Sequence, residues 1–468
     1  MNHAILLPSG LVLFSVLAQL RAQLRPQDPV PDPIESVITE ARVAETVGWL
    51  AADERHGRDT PSPGLEAAAD WLGQRFEAAG LQQLKQGSWF HDYTLPGSSV
   101  DSAAIAVKLS RKLGQDLQQF VLEPDKDVRL WRIADVVGGE QEPTTVAVMS
   151  DPVLRQMLRA RSGRRPIVIE VEEDHPYWRQ SQGKRTVLDR QRAAARPVFL
   201  VRTGVLPQTA GGVEPGWATD WSVPAPVRVE VPLKNVVALL PGTGKRDEYV
   251  VVSAHYDHVG EGDPVEGDSI YNGADDDASG TTAVVMIAAA MSKLPPPRRS
   301  VLFVCFSAEE KGLRGSAAFL EHPPVPREAI VANINLEMIG RPEDGGQGKA
   351  WITGSNLSDF AEVATVALAR RGVEVVDFAM AGMLFSGSDN FSFARHGIVA
   401  HSISAGSSIS AGRLHRDYHK PSDDVGRLDI AHMTKVIRGL CEFVREVADR
   451  EAPLRWNELG KKQVERLR

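Results

Sequence analysis

From about residue 235 to the low 400s the chain alternates between two patterns, and no other feature constrains the fold as tightly. The runs 236–240, 249–254, 301–306, 330–336 and 398–404 are nearly uninterrupted apolar segments. A strand wetted on one face alternates polar and apolar residues, whereas a strand covered on both faces has no need to. Between these runs lie helical patterns at 280–294, 316–322, 357–371 and 429–450. Buried strands joined by helical crossovers predict an α/β fold, a mainly parallel doubly wound sheet with helices on both faces. Ligands of such open sheets bind just beyond the carboxyl ends of the strands.

The rest of the chain divides around this unit. Residues 1–33 read as a signal-like segment followed by a Pro-rich linker. Residues 34–85 read as N-terminal helices of the main domain, 86–230 as an inserted α/β domain, and 231–455 as the main domain itself. Helical patterns cover 34–52 and 62–79; the second sets Leu65, Ala68, Ala69, Leu72 and Phe76 at helical spacing and stops at Gly80. In the insert, strand-like runs at 145–149, 166–170 and 197–201 flank a charged helical pattern at 151–160, and His175 stands alone in a loop. The apolar stretch 4–18 is too short for a membrane span but suits an export signal with Ala22 as a cleavage point, although Met1-Asn2-His3 has no basic residue. Export to a periplasmic or extracellular space is therefore expected, without stable membrane insertion. A formal net charge of -8 over 468 residues excludes the basic footprint of a nucleic-acid binder. The short basic stretch 159–165 reads as a solvated helix end. Two cysteines far apart, Cys305 in an apolar run and Cys441 in a helical pattern, read as core thiols.

Acidic and histidine residues gather directly after the apolar runs. His255-Tyr-Asp257-His258 follows the second run, and Asn272-Gly-Ala-Asp275-Asp276-Asp277 precedes a helix. Ser307-Ala-Glu309-Glu310 follows the third run, Glu337 ends the fourth, and His415-Arg-Asp-Tyr418-His419 lies past the last. Each has a plain structural explanation: a satisfied core histidine, a helix cap, a solvated turn. Three consecutive aspartates nevertheless exceed what capping needs. Two adjacent glutamates after a buried strand repel each other, and Glu337 would be costly to bury alone. Imidazole and carboxylate together are the donor set of zinc and similar divalent ions, and a spare carboxylate beside them can act as a general base. Asp257, two residues past His255, fits a carboxylate that orients the imidazole. His415 and His419 are alternatives, one of them expected at the surface.

On these residues the stretch 233–424 resembles the co-catalytic dizinc aminopeptidase family, which includes bacterial leucyl aminopeptidases and glutamate carboxypeptidase-like zinc exopeptidases. The matching motifs are His255-Tyr-Asp257, Gly273-Ala-Asp-Asp-Asp-Ala-Ser-Gly280, Ser307-Ala-Glu-Glu-Lys-Gly-Leu-Arg-Gly-Ser316, Asn335-Leu-Glu-Met-Ile-Gly340, Ser388-Asp-Asn-Phe391 and Tyr418-His-Lys-Pro-Ser-Asp423. Arg55-His-Gly-Arg58 is similar to the family's N-terminal segment, and relatives carry a protease-associated insert where 86–230 stands. The resemblance implies a zinc exopeptidase-like fold and two Zn2+ ions. It implies that Asp276 bridges the ions, that His255 and Glu337 complete one ligand set, and that Glu310 and His419 complete the other. Asp257 and Asp423 would orient the two histidines, and Asp276-Asp277 would be a cis peptide. Many relatives have Asp where Glu337 stands. Glu309 would be the general base acting on a metal-bridging water, and Tyr418 would stabilise the oxyanion.

The function this implies is a zinc-dependent peptidase acting on a peptide substrate, an aminopeptidase cleaving the N-terminal bond. The competing readings are a carboxypeptidase of the same family, a glutaminyl cyclase-like acyltransferase that needs one zinc, and a non-catalytic receptor-like module. The last two would be expected to lose ligands, and no ligand position here carries a non-ligating residue.

Overall fold

The computed structural model describes residues 32–132, 138–148, 166–188, 197–209, 212–213 and 216–467. The apolar stretch 4–18, the helical pattern at 151–160 and the basic stretch 159–165 lie outside the described residues.

The pattern expected as one helix over 34–52 is divided into α1 (Pro33–Val37) and α2 (Glu40–Leu50). Thr39 causes the break: its side chain accepts a hydrogen bond from the Arg42 N–H and so caps a new helix. The helix α3 (Pro63–Ala79) starts and stops where its punctuation requires. Ser62 caps Leu65 N–H, Pro63 occupies the first turn, and Gly80 leaves in the left-handed conformation at φ 80°.

Nine strands form the large sheet: β1 (Phe90–Asp101), β2 (Lys184–Leu188), β3 (Val227–Leu240), β4 (Lys245–His255), β5 (Arg299–Phe306), β6 (Ile330–Leu336), β7 (Lys349–Ile352), β8 (Glu374–Val375) and β9 (Val399–Ser404). Their order is β8-β7-β9-β6-β4-β5-β3-β1-β2. The centre, β9-β6-β4-β5, is parallel throughout, and antiparallel pairs flank it at β7–β9, β5–β3 and β3–β1. Every residue of β5 is buried because its two faces serve two cores. Val301, Phe303 and Cys305 join the larger core, under α2, α3, α4 (Gly280–Met291), α6 (Phe360–Ala369) and α8 (Ile430–Asp449); α5 (Arg314–Glu321) and α7 (Asn390–Arg395) belong to the other face. Leu302, Val304 and Phe306 point to that other face and meet Phe319 and Phe393. At roughly 1.5–3 kcal/mol for each large apolar side chain removed from water, this strand anchors the sheet from both sides. Both cysteines are buried free thiols.

The stretch 86–230 contributes to the large sheet as well as forming its own layers. β1 and β2 come from it, and β3 begins in it. Beyond them, strands 116–122, 106–113, 218–222 and 138–143 make one four-stranded sheet, and 128–132, 198–202, 167–171 and 145–148 make another. Two separate cores lie there, one around Leu109, Phe199 and Trp221 and one around Ile169, Leu200 and Trp178. His175 caps the short helix Pro176–Gln180 through its Nδ1.

Candidate active site

The parallel centre of the sheet brings the ends of β4, β5 and β6 to one rim. His255 is the last residue of β4, Glu309 and Glu310 lie just past β5, and Glu337 directly follows β6. The N-terminal approach to α4 supplies Asp275, Asp276 and Asp277, and the loop after β9 supplies His415 and His419.

Four buried side chains tie these loops together through backbone groups. Arg58, fully buried, donates from Nε to Tyr256 O at 2.9 Å, from one terminal nitrogen to Leu50 O and Asn272 O at 2.7 Å each, and from the other to Gly273 O at 3.0 Å. It thereby joins the His255 loop to the aspartate loop. Burial pushes its pKa down to about 10, against the pull of Asp257 and Asp276. Asp277 accepts from the N–H groups of Gly280 (3.0 Å), Met338 (3.0 Å) and His255 (3.3 Å), so its two oxygens are spent on three loops. Asp257 and Asp423 are clamps of the same kind. Asp257 accepts from Glu309 N at 3.0 Å, from Glu310 N at 3.4 Å and from Thr60 Oγ1 at 3.1 Å. Asp423 accepts from Asp275 N and Asp276 N, both at 3.1 Å. What meets His255 Nδ1 at hydrogen-bonding distance is the backbone carbonyl of Asp257, at 3.0 Å; the Asp257 carboxylate is 3.7 Å away. The Asp423 carboxylate holds the aspartate loop, so its influence on His419 runs through Asp276. The Asp276-Asp277 peptide is cis.

Held this way, the site residues converge around Asp276. Its Oδ1 lies 3.3 Å from His255 Nε2, which is 3.1 Å from Glu337 Oε1. Its Oδ2 lies 3.0 Å from His419 Nε2, which is 3.1 Å from Glu310 Oε1. One carboxylate therefore faces two clusters, one oxygen to each. Glu337 is fixed from behind: Ser388 Oγ and, at 3.4 Å, Asn335 Nδ2 donate to its Oε2, leaving Oε1 for the cluster. His415, which the spacing allowed at the surface, is buried with its Nε2 3.3 Å from Asp275 Oδ2. Two residues in these clusters have no counterpart among the sequence assignments. Asp277 groups with His255 and Glu337, and His258 groups with Asp276, Glu310 and His419.

The donors of each cluster suit a divalent cation. Atoms about 2.0–2.1 Å from a tetrahedral zinc lie roughly 3.3 Å from one another, which matches the spacings just given. Asp276 Oδ2 and Glu310 Oε1 are buried without a hydrogen-bond partner. Electrostatics agrees. Burial opposes the ionised form of Asp276, yet His258, His255 and His419 hold its pKa well below the usual carboxylate range. Glu310 is drawn down to about 2 against burial and Asp276, by His258 and His419. His419 is raised to about 10, burial being outweighed by Asp276 and Glu310. The clusters demand positive charge between their oxygens, and a divalent ion meets that demand while displacing protons from the imidazoles.

A cavity of about 310 Å³ opens onto these oxygens. Asp276, Glu309, Glu310 and Glu337 line its floor, and Leu313, Met338, Trp351, Leu384, Leu414 and Tyr418 supply apolar wall. Among the described residues its lining contains no Lys, Arg or His. Glu309 stands free of the two clusters. Burial first, then Glu337 and Glu310, raise its carboxyl pKa well above the ordinary value despite nearby His255. Tyr418 stacks on His419 with ring centroids 3.9 Å apart; burial, then Asp276 and Glu310, push its phenol upward.

Residues 235–444 match the model of Peptidase family M28. Among solved structures, a zinc aminopeptidase from Bacillus subtilis is similar at a TM-score of 0.55 and 14% identity, over 88% of this chain and 96% of that one. An aminopeptidase from Aneurinibacillus sp. strain AM-1 is similar at a TM-score of 0.49 and 16% identity, over 92% of this chain and 97% of that one.

Proposed function

We propose that this chain, a member of peptidase family M28 through residues 235–444, is a zinc-dependent peptidase that uses two ions to remove residues from the N-terminus of peptides. The observation that carries this is the split of the Asp276 carboxylate between a His255–Glu337 cluster and a Glu310–His419 cluster. Ions at these positions would polarise the scissile carbonyl and make an adjacent water acidic enough to attack it.

The chain's own residues account for the rest. Glu309 lines the cavity beside both clusters without belonging to either, which places a spare carboxylate to take a proton from water and return it to the leaving amine. The Asp257 carboxylate fixes its backbone by accepting from Glu309 N. Tyr418 at the mouth is positioned to donate to a developing oxyanion. Aminopeptidase rather than carboxypeptidase action is favoured by the cavity's lining, which among the described residues carries no Lys or Arg. An α-carboxylate would find no Lys or Arg in that lining to pair with, only the ions themselves. Donors for two ions, all retained, also favour hydrolysis over one-zinc cyclisation or a non-catalytic module.

Glu309→Gln tests the reading. The variant should purify with both metals and lose peptide hydrolysis by a factor of about 10²–10⁴. Two bound metals with parental turnover would overturn the assignment of Glu309; no bound metal in the parent would overturn the reading itself. We further propose that the protein is exported, on the apolar stretch 4–18. N-terminal sequencing of mature protein from the periplasm or medium should begin beyond it.

A further inference from the structure

Resting on the reading of this site as a metal centre, we infer that His258 is itself a protein ligand of the ion held by Glu310 and His419. That half of the centre then has four protein donors, while the half at His255 and Glu337 has three.

The His258 ring lies at the meeting of the His255 loop and the aspartate loop. It is fully buried, and neither ring nitrogen has a hydrogen-bond partner. A neutral imidazole carries one N–H and one lone pair, and leaving either unsatisfied in the interior costs about 1–3 kcal/mol. A core histidine in this same protein looks different: His401 Nδ1 lies 2.6 Å from Thr353 O and its Nε2 lies 2.8 Å from Ser358 Oγ. His258 Nδ1 instead faces Glu310 Oε1 at 3.0 Å and Asp276 Oδ2 at 3.8 Å, the two oxygens that are also unpartnered. His419 Nε2 points at the same two oxygens. The imidazoles stand edge to face with centroids 5.4 Å apart. The four donor atoms lie within 4.8 Å of one another, as the donors of one tetrahedral ion would.

The backbone holds the ring there. His258 N donates to Arg58 O at 3.1 Å. Gly273, at φ 57°, leaves the room, since a Cβ on it would come within 2.5 Å of His258 Cγ.

The other half lacks an equivalent fourth donor. His255, Glu337 and Asp276 Oδ1 converge, but Asp277 is already engaged with three backbone N–H groups. An added protein donor tightens the ion it holds, and a zinc with four can still expand to five-coordinate to take water or substrate. The two halves should therefore differ, with a tightly held ion at His258 and an exchangeable one facing the cavity.

The full chain, stripped with chelator and titrated with Zn2+ and with Co2+, tests this. The parent should bind two equivalents, one tighter than the other. His258→Ala should weaken the tighter equivalent by about tenfold or more and leave the other unchanged. His258→Cys loaded with cobalt should show a thiolate-to-cobalt charge-transfer absorption that the parent lacks. Parental affinities in His258→Ala overturn the inference while leaving the dizinc reading intact. If His258→Ala does not fold, as judged by circular dichroism, His258→Cys decides. The absorption supports ligation, and cobalt bound without it overturns ligation. A parent that binds no metal overturns both the inference and the reading beneath it.

Discussion

A single guanidinium does more to shape this centre than its distance in sequence suggests. Arg58 meets carbonyls on α2, on the His255 loop and on the aspartate loop. Arg58→Met keeps most of the apolar stem and strips the donors, leaving four buried acceptors to find water or remain unpaired. A loss of about 3–5 kcal/mol is expected, read as a lower urea midpoint at unchanged slope. Arg58→Lys should recover little, because one ammonium cannot span four acceptors set by a planar fork. The same residue shows where sequence reasoning stops. His255, Glu309, Glu310 and Glu337 stood out in the sequence because each follows an apolar run, and Asp276 because it precedes a helix, where a charge has no cheap structural excuse; His419 stood out only within its own loop motif. Arg58 stood out only as part of a stretch similar to the family's N-terminal segment, with no role attached, and its partners lie up to 215 residues away. His258 was in plain view beside Asp257, but only the meeting of two loops reveals that its nitrogens have nothing else to do. The roles of Asp257 and Asp423 depended on which carboxylate oxygen meets which N–H, information that spacing does not carry.

Among elements, β9 carries a group whose titration should be visible in stability. His401 lies on β9, fully buried among Phe360, Phe385 and Trp456. Burial lowers its pKa from 6.5 to about 4, despite the Thr353 carbonyl. The folded protein therefore keeps this imidazole neutral where the unfolded chain protonates it. Between pH 6.5 and 4 the unfolded state binds more protons, so stability rises with pH there, is fully present above that window and is lost on acidification through it. The contribution at pH 5 is about 2 kcal/mol below that at pH 7.5. His401→Gln should flatten this slope in urea unfolding compared between the two pH values with metal loaded, where other groups cancel between parent and variant. An unchanged slope would show that His401 is protonated in the fold. Element boundaries were legible where punctuation was strong, as at Ser62 and Gly80. They failed at 34–52, because Thr39 restarts a helix inside an apolar pattern that continues across the break.

For the whole molecule, the question is whether metal binding stabilises everything or only the part that holds it. Among the described residues both candidate metal groups lie on the rim of the large sheet. The two cores of the inserted stretch, around Trp221 and Trp178, are separate from the cores on either face of that sheet. Yet the parts share backbone. β1 pairs with β3 from Phe90 to Ser99 and with β2 from Gly97 to Asp101, carrying Leu95 into the main core and Val100 into the inserted one. A ligand stabilises only the cooperative unit that must unfold to release it, by about 4 kcal/mol when present at a thousand times its dissociation constant. With the cores distinct, calorimetry should resolve two transitions. Zinc against chelator should move one of them upward by on the order of 10 °C and leave the other, followed by Trp217 and Trp221 fluorescence, where it was. Joint movement of both transitions would show instead that β1 transmits the metal's stabilisation into the insert, making the two cores one folding unit.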